Sequence, residues 1–302
     1  MLLIIGVVRY GFFKDNDIGN CMGNKTLKAD DVCLILKCGD NAMYIYSYVT
    51  TEGIVKKVNQ DALMLKTARY NGRDILFAAV CDGIGGLAGG ENASAYTVIE
   101  TSEWFENVYP MLIRQRCGIL DVRKSLDHHL HRINDNINFY CVKSGNMGTT
   151  FTSLLIDPNL NSVMVAHVGD TRLYKVYEDR IEVVTSDHSV VAEEVRRGFI
   201  TEEDARFDKR QNQITNCIGA GETDRMYDFL IQKPEEECIY MICSDGFRKM
   251  VDSEEIRKRL VPSENTSPDK IHSNLEYLMQ LNMERKEYDN ITALAVRYTS
   301  GE

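Results

Sequence analysis

No apolar run in the 302-residue sequence approaches the length of a membrane span, so a membrane is not expected among its partners. The opening residues 1–8 are apolar but lack a basic flank and a small-residue cleavage site, which argues against a secretory signal. Cys-x-x-Cys pairs are missing too. The nine cysteines are scattered and odd in number, so reduced thiols in a cytoplasmic protein are expected, not a disulfide framework. Cys81, Cys141, Cys217 and Cys243 sit among apolar neighbours and read as core filler. No long Lys/Arg cluster offsets the formal net charge of −10, which argues against nucleic acid as a partner. Internal repeats and low-complexity linkers are absent, and an apolar share of 44% suffices for one large domain with its own core.

What is present is a device used twice. The apolar run 75–81 leads into Asp82-Gly83-Ile84-Gly85-Gly86, and the run 239–243 leads into Ser244-Asp245-Gly246. Each delivers a carboxylate to glycines that let the backbone crowd close to whatever the carboxylate holds. Asp-Gly also marks hairpin turns, but helical patterns at 92–105 and 253–260, not second strands, come after these two pairs. As a nucleotide cradle the spacing Gly83-x-Gly85-x-x-x-Gly89 misses the dinucleotide fingerprint. Asp82 would moreover repel phosphate unless a cation stood between them. A carboxylate–metal–phosphate arrangement resolves that conflict.

Residues 1–42 do not share the pattern of the rest of the chain and read as an N-terminal extension, with a strand-like run at 32–36. From Tyr44 strands are expected at 44–50 and 61–68, with Tyr70-Asn71-Gly72-Arg73 turning into 75–81. Ala95, Val98, Ile99, Ser102 and Phe105 follow helical spacing, and Pro110 is expected to end that region. Ile119, Val122, Leu126, Leu130, Ile133, Ile137 and Tyr140 mark one stripe of a second helix. His128, His129 and His131 point in different directions around it and read as solvated or packing residues, not ligands. Four strands come next at 149–156, 162–168, 172–177 and 181–185, then a helix at 190–197, a turn capped by Thr201 and a polar excursion at 206–224. Strands at 227–232, 237–243 and 291–298 and helices at 253–260 and 268–282 complete the chain. Strands arriving in hairpins and helices in pairs predict an α+β fold, an antiparallel sandwich covered by helices.

Asp61, Asp82, Asp170, Asp245 and Asp289 each stand beside a strand end or a small turn residue. Singly, each reads as a turn former or helix cap. Together with their contexts they form an ordered set. It runs Lys56-x-x-Asn59-Gln60-Asp61, Asp82-Gly83-x-Gly85-Gly86, Gly148-Thr149-Thr150, Gly169-Asp170-Thr171-Arg172, Asp187-His188-Ser189, Ser244-Asp245-Gly246 and Asp289-Asn290-x-Thr292. From about residue 43 to the end, this set resembles the metal-dependent Ser/Thr protein phosphatases of the 2C type, the PPM family, especially its compact bacterial members.

The resemblance implies a four-layer α-β-β-α sandwich, two antiparallel sheets flanked by helices, over residues 43–302, with a flap at about 193–221. It implies that Asp61, Asp82, the Gly83 carbonyl, Asp245 and Asp289 hold two Mn²⁺ or Mg²⁺ ions, hard cations suited by oxygen ligands. A bridging hydroxide would attack phosphorus directly, making Asp61, Asp82, Asp245 and Asp289 the catalytic set. Asp170 would share a third, weaker ion with Asp245. Lys56 stands where the family usually has Arg and would contact the substrate phosphate as a point charge instead of a fork, with Lys57 adjacent. Ile84 replaces the general-acid His of many eukaryotic members, and Thr149, Thr150 and Asn290 would orient ligands and pack strands. In the flap, Asp208-Lys209 stands where His-Pro is frequent, so peptide preference does not carry over.

The implied protein is a cytoplasmic, monomeric enzyme of signal transduction that hydrolyses phosphoserine and phosphothreonine on proteins marked by a cognate kinase. Two alternatives stay open: a non-catalytic signalling module, whose mark would be degraded ligands, and a hydrolase of small phosphate esters.

Overall fold

The computed structural model describes residues 4–9, 44–84, 89–144, 146–205, 208–220 and 226–299. The chain opens with β1 (Ile4–Arg9), β2 (Tyr44–Thr51), β3 (Asp61–Tyr70) and β4 (Arg73–Ile84). Helix α1 (Gly90–Glu103) widens into a π-helical turn, Trp104–Val108, and continues as α2 (Tyr109–Arg114), before the long α3 (Ile119–Ser144). Then come β5 (Gly148–Thr149), β6 (Phe151–Asp157), β7 (Ser162–Val168), β8 (Arg172–Val176) and β9 (Ile181–Val183). Short helices α4 (Val190–Arg196) and α5 (Glu202–Ala205) precede β10 (Ile218–Gly219), β11 (Asp228–Gln232) and β12 (Ile239–Cys243). The chain closes with α6 (Asp245–Arg248), α7 (Ser253–Leu260), α8 (Pro268–Glu284) and β13 (Ile291–Tyr298).

One antiparallel sheet runs β1-β3-β4-β6-β7-β11, with β5 attached to β4 and β10 to β5; the other runs β2-β13-β12-β8-β9. Period-two alternation assigns each strand two apolar faces. On β4, Ile75, Phe77, Ala79 and Cys81 pack outward with Trp104, Phe105, Leu126 and Leu130, whereas Leu76, Ala78 and Val80 turn inward. There they meet Tyr240 and Ile242 of β12 and Leu294 of β13. On the far side of β12, Met241 and Cys243 pack with Phe247, Ile256, Leu275 and Leu278. The result is the expected sandwich of two sheets between two helical layers. Burying each such large side chain contributes about 1.5–3 kcal/mol, so three stacked apolar layers dominate the stability.

Local signals match the elements they predict. Asn71 and Gly72 both take positive φ, 49° and 76°, as the tight hairpin between β3 and β4 requires. Ser189 and Ser267 cap α4 and α8, and Asp252 with Glu255 forms a capping box on α7. His129 lies against the helical layer with Nε2 2.9 Å from the Glu100 carbonyl, a packing role. Two expectations are corrected. Pro110 does not end the helical region; it is the second residue of α2, which continues from the π-helical turn with the Tyr109 N–H bonded to the Trp104 carbonyl. Strand β4 does not stop at Cys81 but carries Asp82 and Gly83 within it, because β5 offers Gly83 and Ile84 a partner. Six residues of the N-terminal extension form β1, which pairs along β3 from Ile4 opposite Ala68 to Arg9 opposite Leu63. The strand-like run at 32–36 and the glycines at 85 and 86 lie outside the described residues. Among the described residues, no helix is long and apolar enough to cross a membrane.

One buried polar contact joins the helical layer to the sheet. The Tyr109 hydroxyl donates to Asp157 Oδ2 at 2.5 Å, while Asp157 Oδ1 accepts from the Asn159 backbone at 2.8 Å and shapes the β6–β7 turn. Tyr109→Phe is expected to lower stability by about 1–3 kcal/mol, because it leaves a buried carboxylate oxygen without its donor. Urea denaturation measures this, and an unchanged midpoint would show that the contact contributes nothing.

Candidate active site

Alternation continues past the apolar part of the strands. Leu63 and Leu65 of β3 and Ala78 and Val80 of β4 face the space between the sheets, and the same parity carries Asp61 and Asp82 there. Asp61 is directly opposite Asp82 in the ladder. Like charges so placed oppose the pairing, yet the surrounding bonds hold both in position. The Asp82 carbonyl accepts from the Thr150 N–H and the Thr149 hydroxyl, both at 2.9 Å, and the Asp82 N–H donates to Thr150 Oγ1 at 2.9 Å. Ser244 Oγ donates to Asp61 Oδ2 at 2.9 Å and accepts the Thr292 N–H at 3.0 Å. Gly83 is wedged so tightly that a Cβ there would lie 2.3 Å from the Gly90 carbonyl oxygen and 2.6 Å from that of Gln60.

The other carboxylates arrive from the second sheet and from the turns. Asp245 opens α6 directly after β12. Its neighbour Gly246 lets the helix approach the loop before β13, since a Cβ would sit 2.2 Å from the Asn290 carbonyl oxygen. Asp289 lies in that loop, its N–H held by Glu287 Oε1 at 3.0 Å. Asn290 ties this loop to the β2–β3 connection: its side chain accepts from the Gln60 N–H at 3.0 Å and donates to the Glu52 and Val58 carbonyls at 3.1 and 3.0 Å. Asp170 sits between β7 and β8, where Arg248 donates to its carbonyl at 3.0 Å and to Asp187 at 3.2 Å. Arg172 grips the same Asp187 with two bonds of 2.8 Å. Asp187 is thereby held below the ordinary carboxylate range against the opposing effect of burial.

The segment expected to form a flap is bonded at its two ends beside this site. His188 donates its N–H to the Gly169 carbonyl at 2.7 Å and accepts from Thr215 at 2.8 Å, and Val190 donates to Gln213 at 2.9 Å. Farther on, β10 pairs with β5 through Ile218–Thr149 and Gly219–Gly148.

The five predicted aspartates form one electrostatic cluster. Burial, reinforced by Asp245 and Asp289, pushes Asp61 up to about 7, although hydrogen bonds from Thr292 and Ser244 pull the other way. Asp82 is raised well above the carboxylate range by burial and then by Asp61, Asp245, Asp170 and Asp289. Asp170 is pushed to about 7 by burial and Asp245, against Arg248 and Lys249. Buried oxygens of three members, Asp61 Oδ1, Asp170 Oδ1 and Asp245 Oδ1, have no hydrogen-bond partner. Unpartnered carboxylate oxygens beside a backbone carbonyl fit a hard divalent cation. The positive groups present are Lys249, with Nζ 2.5 Å from Asp245 Oδ2 and 3.9 Å from Asp289 Oδ2, and Lys56, 3.1 Å from Asp289 Oδ1. As these side chains stand, no three ligand groups among the described residues enclose a single ion position.

Lys56 therefore lies at the cluster, on Asp289, while Ile84 ends β4 opposite Gly148. Arg248, Lys249 and Glu287 are contributors that the motifs did not include, and Ser244 stands in one of them with no role assigned from the sequence. For Lys249 a signal existed: it stands four residues after Asp245, the spacing at which opposite charges meet on a helix.

No family model matches the chain. Over 253 residues it is 30% identical to the protein phosphatase PhpP of Streptococcus pneumoniae, covering 83% of this chain and 96% of that protein. It is also 30% identical over 187 residues to a Streptococcus pyogenes protein described as protein phosphatase 2C-type, covering 62% and 73%. Among solved structures, the serine/threonine phosphatase Stp1 from Staphylococcus aureus superposes with a TM-score of 0.73 at 28% identity, covering 86% of this chain and 96% of that one.

The raised carboxyls predict how the metal-free protein responds to pH. Asp61 and Asp170, at about 7, hold protons in the folded chain that the unfolded chain, with its ordinary value of 3.8, has released. Folding then takes up protons, so stability falls as pH rises toward and through about 7. Buried His129 and His167, lowered from 6.5 to about 4, have the opposite slope, but only below about 6.5. In chelator the thermal midpoint should accordingly be higher at about pH 6.5 than at about pH 8, and Asp61→Asn should shrink the difference. Equal midpoints in the unsubstituted protein would show that these carboxyls titrate normally.

Proposed function

The chain belongs to the 2C-type protein serine/threonine phosphatase family, and from that premise we propose that it removes phosphate from phosphoserine and phosphothreonine on proteins with the carboxylates gathered between its sheets. The observation that carries this reading is the cross-strand pair Asp61–Asp82, backed by apolar residues and completed by the unpartnered oxygen of Asp245. Asp61, Asp82, the Gly83 carbonyl, Asp245 and Asp289 would hold two Mn²⁺ or Mg²⁺ ions, and Asp170 with Asp245 a third, weaker one. When bound, the ions supply the charge stabilisation and the activated water for direct in-line attack on phosphorus.

The residues of the chain then have separate tasks. Thr149 and Thr150 fix the backbone of Asp82, and Ser244 fixes one oxygen of Asp61, so that both carboxylates keep the geometry that binding needs. Lys56, more than a third exposed on Asp289, is placed to take the substrate phosphate as a point charge. Its loop is tied by Asn290 to the loop that carries Asp289, so phosphate contact and carboxylate share one support. Ile84 cannot donate a proton to the departing serine or threonine oxygen, which leaves that proton to solvent or to the neighbourhood of Asp170. The proposed catalytic domain spans residues 43–302 with the flap at about 193–221, acting as a cytoplasmic monomer opposite a cognate kinase.

Release of phosphate from a phosphothreonine peptide and from a small aryl phosphate, with and without Mn²⁺, tests the reading. Activity should require the metal and vanish in chelator. Asp82→Asn and Asp245→Asn should each lower kcat by about 10²-fold or more while the fold survives. Full turnover in metal-stripped protein, or in either variant, would remove these residues from the chemistry. Lys56→Ala should raise KM for the peptide and Lys56→Arg restore it, and equal kinetics for all three would place the phosphate elsewhere.

A further inference from the structure

Lys249 is an unusual neighbour for a carboxylate meant for metal. Its side chain is only 11% exposed, and Nζ reaches Asp245 Oδ2 at 2.5 Å and Asp289 Oδ2 at 3.9 Å, with the Tyr288 ring 5.8 Å away. The ammonium nevertheless makes no hydrogen bond of good geometry. It is held as a close ion pair with Asp245, at a place where a cation is wanted. While it is there, one oxygen of Asp245 is taken and the other has no partner, and among the described residues no three ligand groups stand around one point.

A second resting place lies close by. Glu287 is fully buried; its Oε1 accepts from the N–H groups of Tyr288 and Asp289, at 2.9 and 3.0 Å, but its Oε2 has no partner. Both groups border the same two residues: Lys249 Nζ lies 3.9 Å from Asp289 Oδ2 and 5.8 Å from the Tyr288 ring, and Glu287 bonds the backbone of both. A flexible four-carbon stem can carry the ammonium from one carboxylate to the other.

We propose that Lys249 is a resident counter-cation, which neutralises Asp245 and Asp289 in the metal-free protein and transfers to Glu287 when a divalent ion takes its place. This inference rests on the reading of Asp245 and Asp289 as metal ligands and adds to it a device that sets metal affinity. An ammonium on one oxygen of Asp245 repels a divalent ion drawn to the other, so each binding event works against a charge already stabilised there. Glu287 lowers the cost of moving that charge by receiving the ammonium in a buried site that otherwise holds an unpaired oxygen.

The test is the affinity of metal-free protein for Mn²⁺ alone, measured by calorimetry, independently of turnover. Lys249→Gln removes the competitor and should tighten binding about tenfold or more, the scale of one close charge pair. Lys249→Arg keeps the charge and should stay near the unsubstituted value. Glu287→Gln removes the receiving charge while its amide oxygen can still accept both backbone N–H groups, and should weaken binding. An unchanged or weaker affinity in Lys249→Gln overturns the proposal. Should that variant fail to fold without metal, an unchanged affinity in Glu287→Gln overturns it equally. Asp82→Asn separates the two levels: if it abolishes Mn²⁺ binding while Lys249→Gln does not alter it, the metal reading stands and this inference falls. If the unsubstituted protein binds no Mn²⁺, both fall.

Discussion

Two carboxylates that face each other across adjacent strands, with aliphatic side chains packed behind them, cannot both ionise without a cation between or beside them. The pairing of Asp61 with Asp82 sets that condition, and much of this end of the sandwich answers to it. Both backbones are fixed by hydroxyl and amide hydrogen bonds, so neither carboxylate can turn away to water without breaking them. The second sheet adds Asp245 and Asp289 to a place already short of positive charge, which deepens the deficit instead of relieving it. The cations proposed for this site would relieve the deficit and contribute folding stability as well as chemistry. The three apolar layers supply the rest.

A second group of charges is arranged for permanence. Asp187 receives two bonds from Arg172 and one from Arg248, and Arg248 passes its remaining reach to the Asp170 carbonyl. Breaking such a partly buried set by removing the acid would strand two guanidinium groups. The contrast with Lys249 is chemical: Arg248 bonds two acceptors through one nitrogen of a rigid guanidinium beside the Arg172 fork, whereas an ammonium on a flexible stem can move. Both kinds of cation occur within one short stretch, Arg248-Lys249, three residues after the helix-opening Asp245.

Much of this was legible in the sequence because it depends on local rules. The strands could be read from the pattern of side chains alone, but both faces of β4 are apolar and only its contacts tell the inward column from the outward one. The Asn71-Gly72 turn announced itself by the only residue types that accept its backbone angles at little cost. The five aspartates were found through their contexts in order, since no single Asp-Gly distinguishes a ligand from a turn. What stayed hidden depends on contacts between distant segments. Nothing near Ser244 says that its hydroxyl will reach Asp61, 183 residues away, and nothing near Glu287 says that it will be fully buried. Pro110 misleads for another reason: a proline that stops one helix and a proline in the first turn of the next look alike until the π-helical turn before it is seen.

The anchoring of the flap has a consequence for how freely the chain can vary there. His188 and Val190 are bonded to Thr215 and Gln213, so the two ends of the intervening segment meet at one fixed post, and β10 adds a second post on β5. A loop whose ends are already joined contributes to stability mainly through closure entropy, which grows by only about 0.6 kcal/mol for each doubling of length. Length changes between α4 and α5 therefore carry a small closure cost, while the rung from Gly219 to Gly148 keeps the strand beside Asp82 in register. The segment and the carboxylate cluster beside it are thus free to vary separately within one sandwich.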